Sequence, residues 1–145
     1  MLQPMSDPKV DALSRVPLFA TLSKHELEFV ASRADEVDTP AGKFLTTQGE
    51  PGDTFYVLLD GEARVDIDGK LRRNLEPGDF FGEISMLDRG LGTATITTTK
   101  PSRLLVMSHA QFRDAIKAND QLLIKVLAAM GERLRADLAV RHQHD

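Results

Sequence analysis

The 145-residue sequence contains no cysteine. Disulfide bonds, thiolate nucleophiles and thiolate zinc sites are therefore excluded. No apolar run approaches the roughly 18 residues that span a bilayer. The first residues, Met1–Met5, also lack the charged and apolar blocks of a secretory signal peptide. With no signal for export or insertion, we expect a cytoplasmic protein that has no membrane partner.

Basic residues are also fewer than acidic residues. The sequence has 18 lysines and arginines against 22 aspartates and glutamates, which gives a formal net charge of −4. Non-specific binding to nucleic acids or to anionic membrane surfaces needs a basic face. The charge balance therefore predicts neither a nucleic-acid partner nor a membrane-surface partner.

Histidines are few and badly placed for metal chemistry. A metal-dependent enzyme on a β-barrel needs two or three histidines and a carboxylate converging inside the barrel. None of the four histidines falls in a predicted strand: His25, His109, His142 and His144. The order of residues typical of a serine–histidine–aspartate nucleophile is missing too. We therefore predict no catalytic residues, no metal site and no enzymatic activity.

Between residues 35 and 108 the apolar residues alternate with polar ones, which is typical of half-buried β-strands. Asp60-Gly61 and Asp68-Gly69 separate successive runs and are strong hairpin signals. Many short strands at this spacing predict a β-sandwich or jelly roll. The strand candidates are Glu36–Asp38, Lys43–Thr46, Thr54–Leu59, Ala63–Ile67, Leu71–Leu75, Ala94–Thr99 and Ser102–Met107.

Helical segments flank the strands. On the N-terminal side, a loose tail over residues 1–6 precedes a helical segment over 7–34, in which Ser23 and Glu26 have the spacing of a capping box. On the C-terminal side, Ser108 and Gln111 have the same spacing, and a break is expected near Asn119. A long helix then carries an apolar stripe that covers the barrel mouth or pairs with a second copy: Leu123, Leu127, Met130, Leu134 and Leu138.

The segment between residues 77 and 97 is the most informative stretch. A Pro-Gly-Asp turn leads into Phe80 and Phe81, then a glycine, one short helical turn and a returning β-branched strand. Free N–H groups at the start of a short helix favour an anion, and a glycine lets a ligand approach the backbone. A plain surface loop between two strands fits the spacing equally well.

This segment resembles the phosphate-binding cassette of cyclic-nucleotide-binding domains, a family that includes bacterial catabolite activators, kinase regulatory subunits and cyclic-nucleotide-gated channels. The family pattern is roughly F-G-E-[LI]-[AS]-[LM]-[LI]-x-x-x-P-R-[AST]-A-[TS]-[VI]. It matches the sequence in register over 81–87 and again over 93–96. Segments at Val16–Leu27 and Gly49–Gly61 resemble the family as well.

The resemblance implies a mainly β fold with flanking helices: a double-stranded β-helix (jelly roll) barrel over 35–108, the cassette at 80–96, and C-terminal lid or dimerisation helices over 109–140. It also implies roles for individual residues. Glu83 would bind the ribose 2′-hydroxyl, and backbone amides would hold the cyclic phosphate. The implied ligand-binding residues are Phe81, Gly82, Glu83, Ile84, Ser85, Gly92, Thr93 and Ala94.

The chain departs from the family pattern at one important position. The Pro-Arg pair of the family falls on Leu91-Gly92, so the arginine that pairs with the phosphate is absent. An arginine there clamps the phosphate with two charge-assisted hydrogen bonds, and we expect Gly92→Arg to restore the clamp. Arg89 is a candidate substitute cation, and Arg133 and Arg135 are two others.

The sequence leaves two candidate functions open. The first is a non-enzymatic regulatory module that binds cyclic AMP or cyclic GMP, stands alone and needs no further cofactor. The second is a degenerate fold that no longer binds nucleotide and serves for homodimerisation or docking of an unidentified protein. Because the chain ends at Asp145 without a helix-turn-helix, we expect it not to read DNA.

Overall fold

A computed structural model describes residues 8–82 and 91–144, except for the side chains of 133, 134 and 137–144. The helices and the 3₁₀ turn are, in chain order, α1 (Pro8–Ser14), a 3₁₀ turn (Pro17–Phe19), α2 (Lys24–Ser32), α3 (His109–Ala118) and α4 (Asp120–His144). The strands are β1 (Asp35–Thr39), β2 (Phe44–Thr46), β3 (Thr54–Asp60), β4 (Ala63–Ile67), β5 (Lys70–Leu75), β6 (Phe80–Phe81), β7 (Thr95–Thr98) and β8 (Ser102–Ser108).

The strands form two antiparallel four-stranded sheets. The first, which we call the helix-covered sheet, has the order β1-β8-β3-β6. The second, the outer sheet, has the order β2-β7-β4-β5. The chain crosses repeatedly from one sheet to the other, as in a jelly roll. The predicted fold class, a mainly β jelly roll with helices before and after it, is confirmed.

Both helix-capping predictions are confirmed. The Ser23 side chain accepts a hydrogen bond from the Glu26 N–H at 3.2 Å, and the Glu26 carboxylate accepts one from the Ser23 N–H at 2.9 Å. Ser108 and Gln111 make the same reciprocal pair at the start of α3. Each box satisfies two N–H groups that the helix itself leaves unpaired. The predicted break after Ala118 is also present, but α4 continues to His144, beyond the predicted limit at residue 140.

One hairpin prediction is confirmed and one is wrong. Strands β4 and β5, joined by Asp68-Gly69, pair as an antiparallel hairpin. Strands β3 and β4, joined by Asp60-Gly61, do not pair, because β3 bonds to β6 and β8 while β4 bonds to β5 and β7. The Asp60-Gly61 turn is therefore a corner between the two sheets rather than a hairpin.

The central strand β3 of the helix-covered sheet packs against apolar clusters on both faces. Along β3, Phe55 and Val57 pack towards the helices, while Tyr56 and Leu58 face the interior of the barrel. This alternation follows from the two-residue period of a strand, and it explains why β3 is almost continuously apolar. The helix side includes four apolar residues of the α2 region: Leu27, Val30, Ala31 and Ala34.

Candidate functional site

A cavity of about 650 Å³ opens between the two sheets. This volume lies within the range of roughly 300–1,000 Å³ that is usual for small-molecule sites. Residues from most of the strands, from the β2–β3 turn and from α4 line the cavity. The side chains that the structure describes thus leave the barrel interior open.

Five of the residues predicted from the cassette lie together on this cavity. Phe81 and Gly82 approach it from the entry side of the cassette, and the other three approach it from the exit side: Gly92, Thr93 and Ala94. The remaining predicted residues, Glu83, Ile84, Ser85 and the candidate cation Arg89, lie outside the described residues. The structure therefore brings the two ends of the cassette to one cavity.

Two stacked aromatic rings form one wall. The Phe81 ring lies 4.8 Å from the Tyr56 ring, centroid to centroid, at an interplanar angle of 15°. The Tyr56 hydroxyl donates a hydrogen bond to the Leu45 carbonyl at 3.2 Å. Burial raises the pKa of the Tyr56 phenol, because loss of water disfavours the charged phenolate. The wall is therefore neutral and apolar, with its single hydroxyl group already engaged.

Glycine is required at position 82 by the backbone of β3. Gly82 has a φ of +89°, and a Cβ added there would lie 2.4 Å from the Thr54 carbonyl oxygen. Both the left-handed conformation and this close approach exclude a side chain. The cassette therefore begins directly against β3, which fixes the position at which it enters the cavity.

Gly92 is held tightly against the β2–β3 turn. Its N–H donates to the Glu50 carbonyl at 2.8 Å, and its carbonyl accepts from the Gly49 N–H at 2.9 Å. A Cβ at position 92 would lie 2.7 Å from the Thr47 carbonyl oxygen. A Gly92→Arg substitution must therefore first displace backbone atoms of the turn, and its effect on the phosphate clamp stays a prediction.

Sequence reasoning missed two arginines on the cavity. Arg72 and Arg73 of β5 both line it. The signal was a pair of adjacent arginines in a short strand, but strict alternation would place only one of them on the inner face. Of the other two candidate cations, Arg135 does not line the cavity, and the Arg133 side chain lies outside the described residues.

Helix α4 reaches the cavity through one turn, where Met130 and Gly131 line it. The predicted apolar stripe is only partly correct. Among the described α4 side chains, Leu122 and Val126 are fully buried, at 1% and 0% exposure, while Leu127 is 51% exposed. The side chains of Leu134 and Leu138 lie outside the described residues. The helix thus packs on the core through a face next to the predicted one.

Comparison with known proteins identifies the family. The family model described as "Cyclic nucleotide-binding domain" matches residues 36–119, which is more than half of the chain. The chain belongs to the cyclic nucleotide-binding domain family. In this family the domain is a binding and regulatory unit rather than a catalytic one.

Similar proteins include a kinase regulatory subunit and a transcriptional regulator. The chain is 37% identical over 98 residues to a cAMP-dependent protein kinase regulatory subunit of Aspergillus fumigatus, covering 63% of this chain and 24% of that protein. It is 28% identical over 130 residues to a CRP-like cAMP-activated global transcriptional regulator of Mycobacterium tuberculosis, covering 86% of this chain and 58% of the relative. The chain thus spans only a part of these relatives.

Solved structures agree with this family. The catabolite activator protein of Thermus thermophilus superposes with a TM-score of 0.76 at 29% identity, covering 86% of this chain and 62% of that one.

None of the helices in the described part of the chain has the length and apolar character of a membrane span.

Proposed function

We propose that the chain binds a 3′,5′-cyclic nucleotide in the cavity between the sheets and acts as a regulatory module. The observation that carries the proposal is the convergence of Phe81, Gly82, Thr93 and Ala94 on one open cavity. These residues come from both ends of the cassette motif, so the motif and the cavity coincide. Names of the relatives, which refer to cAMP, support the same ligand class.

Each part of the site has a proposed role. As the cassette pattern of the family implies, we assign the ribose 2′-hydroxyl to the Glu83 carboxylate and the cyclic phosphate to the backbone amides of Gly82, Ile84 and Ser85. The apolar wall of Tyr56 and Phe81 provides a surface for the flat or hydrophobic parts of the ligand. Met130 on α4 lies on the cavity, so ligand contact with it would couple the site to the C-terminal helix.

Calorimetric titration with cyclic AMP and cyclic GMP tests the proposal directly. Binding should also raise the melting temperature, because a ligand at 100 times its Kd adds about 2.7 kcal/mol of stability. Glu83→Ala should abolish both signals. Glu36→Ala is the matched control, since Glu36 is an exposed carboxylate of β1 that does not line the cavity.

The second candidate function is a protein-interaction module that no longer binds nucleotide. The packing of Gly92 against the β2–β3 turn favours it, because no side chain fits at the position where the family carries its phosphate-binding arginine. An absence of heat and of any melting shift with both nucleotides at millimolar concentration would favour this function over the first.

Homodimerisation through α4 is part of either function. Ile124 and Leu127 are 55% and 51% exposed, and a second copy of the helix would bury them. Leu127→Asp should then give a monomer in light scattering. An unchanged mass in solution would contradict the dimer.

A further inference from the structure

Strand β5 forms a basic, exposed edge of the outer sheet. It is the last strand of that sheet and, among the described strands, pairs with β4 alone. Its first four side chains are all exposed: Lys70, Leu71, Arg72 and Arg73. In the described part of the chain, none of the three cations forms an ion pair or a side-chain hydrogen bond. Because an edge strand also leaves backbone N–H and C=O groups unpaired, this basic edge is open to a further strand.

Strand β1 carries the opposite charge at an edge of the helix-covered sheet. Among the described strands it pairs with β8 alone. Four of its five side chains are exposed: Asp35, Glu36, Val37 and Asp38. Asp38 lies 3.4 Å from the Arg103 side chain, but both groups are more than half exposed, at 85% and 57%. This acidic edge is therefore accessible to cations from outside the chain.

The two edges are complementary when they are aligned antiparallel. The facing pairs are Lys70–Asp38, Leu71–Val37, Arg72–Glu36 and Arg73–Asp35. Three of these pairs bring opposite charges together. The fourth joins the two apolar side chains of the edges, of which Leu71 is 52% exposed and Val37 is 40% exposed. A parallel alignment from Lys70 and Asp35 would instead place Arg72 against Val37. Since cross-strand pairs stabilise a sheet, charge and hydrophobicity together select the antiparallel register.

A β-bulge at Arg72 is compatible with this pairing. Arg73 pairs with Val65, whereas the next pair along the hairpin joins Leu71 to Asp66, so Arg72 is the extra residue. The bulge bends the strand, but long side chains reach diagonal neighbours as well as opposite ones. Bulges and charges of one sign protect an edge against pairing with a copy of itself. They give no such protection against an edge of opposite charge.

The two edges lie on opposite sides of the sandwich. A short turn over residues 40–43 joins β1 to β2, and another over 76–79 joins β5 to β6. Strands β2 and β5 are at opposite ends of the outer sheet, so one chain cannot pair its own β1 with its own β5. Pairing between copies is therefore head to tail, and a contact of this type can repeat from copy to copy.

We propose that copies of this chain associate head to tail, with the acidic edge β1 of one copy added antiparallel to the basic edge β5 of the next. The contact does not involve α4 or a bound nucleotide, so it goes beyond the proposed function and is tested separately from it. Because the cross-strand pairs are exposed and each contributes modestly, the association is weak and sensitive to salt.

Light scattering over a concentration series from about 10 µM to about 1 mM tests the proposal. Every protein in the series carries Leu127→Asp, a change at an exposed position of α4, so that α4 cannot supply the association. The mean mass of this parent protein should rise above one chain as its concentration increases. The rise should shrink between about 50 and about 500 mM salt, because exposed charges are screened.

Two further variants reverse the charge of one edge each: Arg72→Glu with Arg73→Glu, and Asp35→Lys with Glu36→Lys. Each alone should raise the dissociation constant by about tenfold or more, since attractive pairs become repulsive. An equimolar mixture brings opposite charges together again and should restore the association. The control, Lys24→Glu with Arg113→Glu, makes the same change in net charge at exposed positions of α2 and α3 and should associate like the parent.

A synthetic peptide of residues 34–40 carries the acidic edge, and it should compete with the association of the parent without any substitution in the edges. A parent that stays monomeric up to about 1 mM overturns the proposal. If the peptide then binds and requires Arg72 and Arg73, the basic edge serves an acidic segment of a different protein. The proposal is also overturned if the edge variants associate like the parent, if their mixture stays dissociated, or if the control loses association equally.

Discussion

The two faces of the helix-covered sheet differ in how completely they are filled. On the helix side, Phe55 stacks on Phe112 with ring centroids 4.6 Å apart, and Phe80 lies 5.7 Å from Phe55. On the barrel side, Tyr56 and Phe81 stack on each other but border an open cavity of about 650 Å³. Adjacent residues of β3 and β6 therefore lie on opposite faces of the sheet. Phe55 and Phe80 belong to the filled core, whereas Tyr56 and Phe81 line the cavity.

The comparison shows how one sheet supports both stability and binding. Helices α1 to α4 and the 3₁₀ turn bury a large apolar cluster on one face. The cluster on the other face is smaller and leaves space between the sheets. Because apolar burial on the helix side supplies much of the stabilisation, the barrel interior can remain open for a ligand.

The largest expected loss of stability comes from truncating a core side chain on the helix side of the sheet. Phe112 is 1% exposed and stacks on Phe55, so Phe112→Ala should lower the free energy of unfolding by about 3–5 kcal/mol. Urea denaturation at neutral pH measures it. The matched control is Phe44→Ala, because Phe44 is 65% exposed on the cavity rim. That variant should change stability by about 0.5 kcal/mol or less; equal losses would contradict the comparison.

A smaller loss of stability is expected from a substitution on the cavity side of the sheet. Tyr56→Phe removes the hydrogen bond to the Leu45 carbonyl and should cost about 0.5–1.5 kcal/mol at neutral pH. Because burial raises the pKa of Tyr56 above 10.0, its contribution is present below pH 10.0 and is lost as pH rises through the folded-state pKa.

Tyr56 is the only tyrosine, and the chain has no tryptophan, so tyrosinate absorbance follows this one group. The alkaline loss of stability should be shallower in Tyr56→Phe. A native titration midpoint at or below that of the unfolded chain would show that the wall is open to water, against the stacking on Phe81.

The smallest expected loss of stability comes from the Glu26–Asn119 contact, which joins α2 to the start of α4 on the helix side. The Glu26 pKa is lowered, mainly by the Ser23 N–H and hydroxyl, with help from Asn119 and Lys125. Asn119 donates to Glu26 and also caps α4, accepting from the Gln121 N–H at 2.9 Å. A lowered pKa means that the stabilisation is present above the unfolded value of 4.5 and is lost as pH falls through the folded value.

Urea midpoints measured from about pH 5 to about pH 3 test this dependence. The acid loss should be reduced in Glu26→Gln and retained in Glu28→Gln, whose carboxylate is exposed on the same helix. If the two variants lose stability in parallel with the wild type, the Glu26 contact contributes nothing to the acid dependence.

Local patterns were enough for most of the secondary structure and for half of the site. Strand positions follow from alternation, and both capping boxes follow from Ser–Glu and Ser–Gln spacing, because these signals act over three or four residues. The cassette motif likewise located Phe81, Gly82, Thr93 and Ala94 before their positions in space were known. Roles for Glu83 and the other cassette residues outside the description remain predictions.

Only the tertiary structure decided which elements meet. It separated β3 from β4 at Asp60-Gly61, since each strand finds its partners far away in the sequence. It placed Arg72 and Arg73 on the cavity through a bulge, and it set Gly92 against the Thr47 carbonyl. Long-range pairing and close packing of this kind depend on residues that no local pattern connects, which is why the charge arrangement of the cavity could not be read from the sequence.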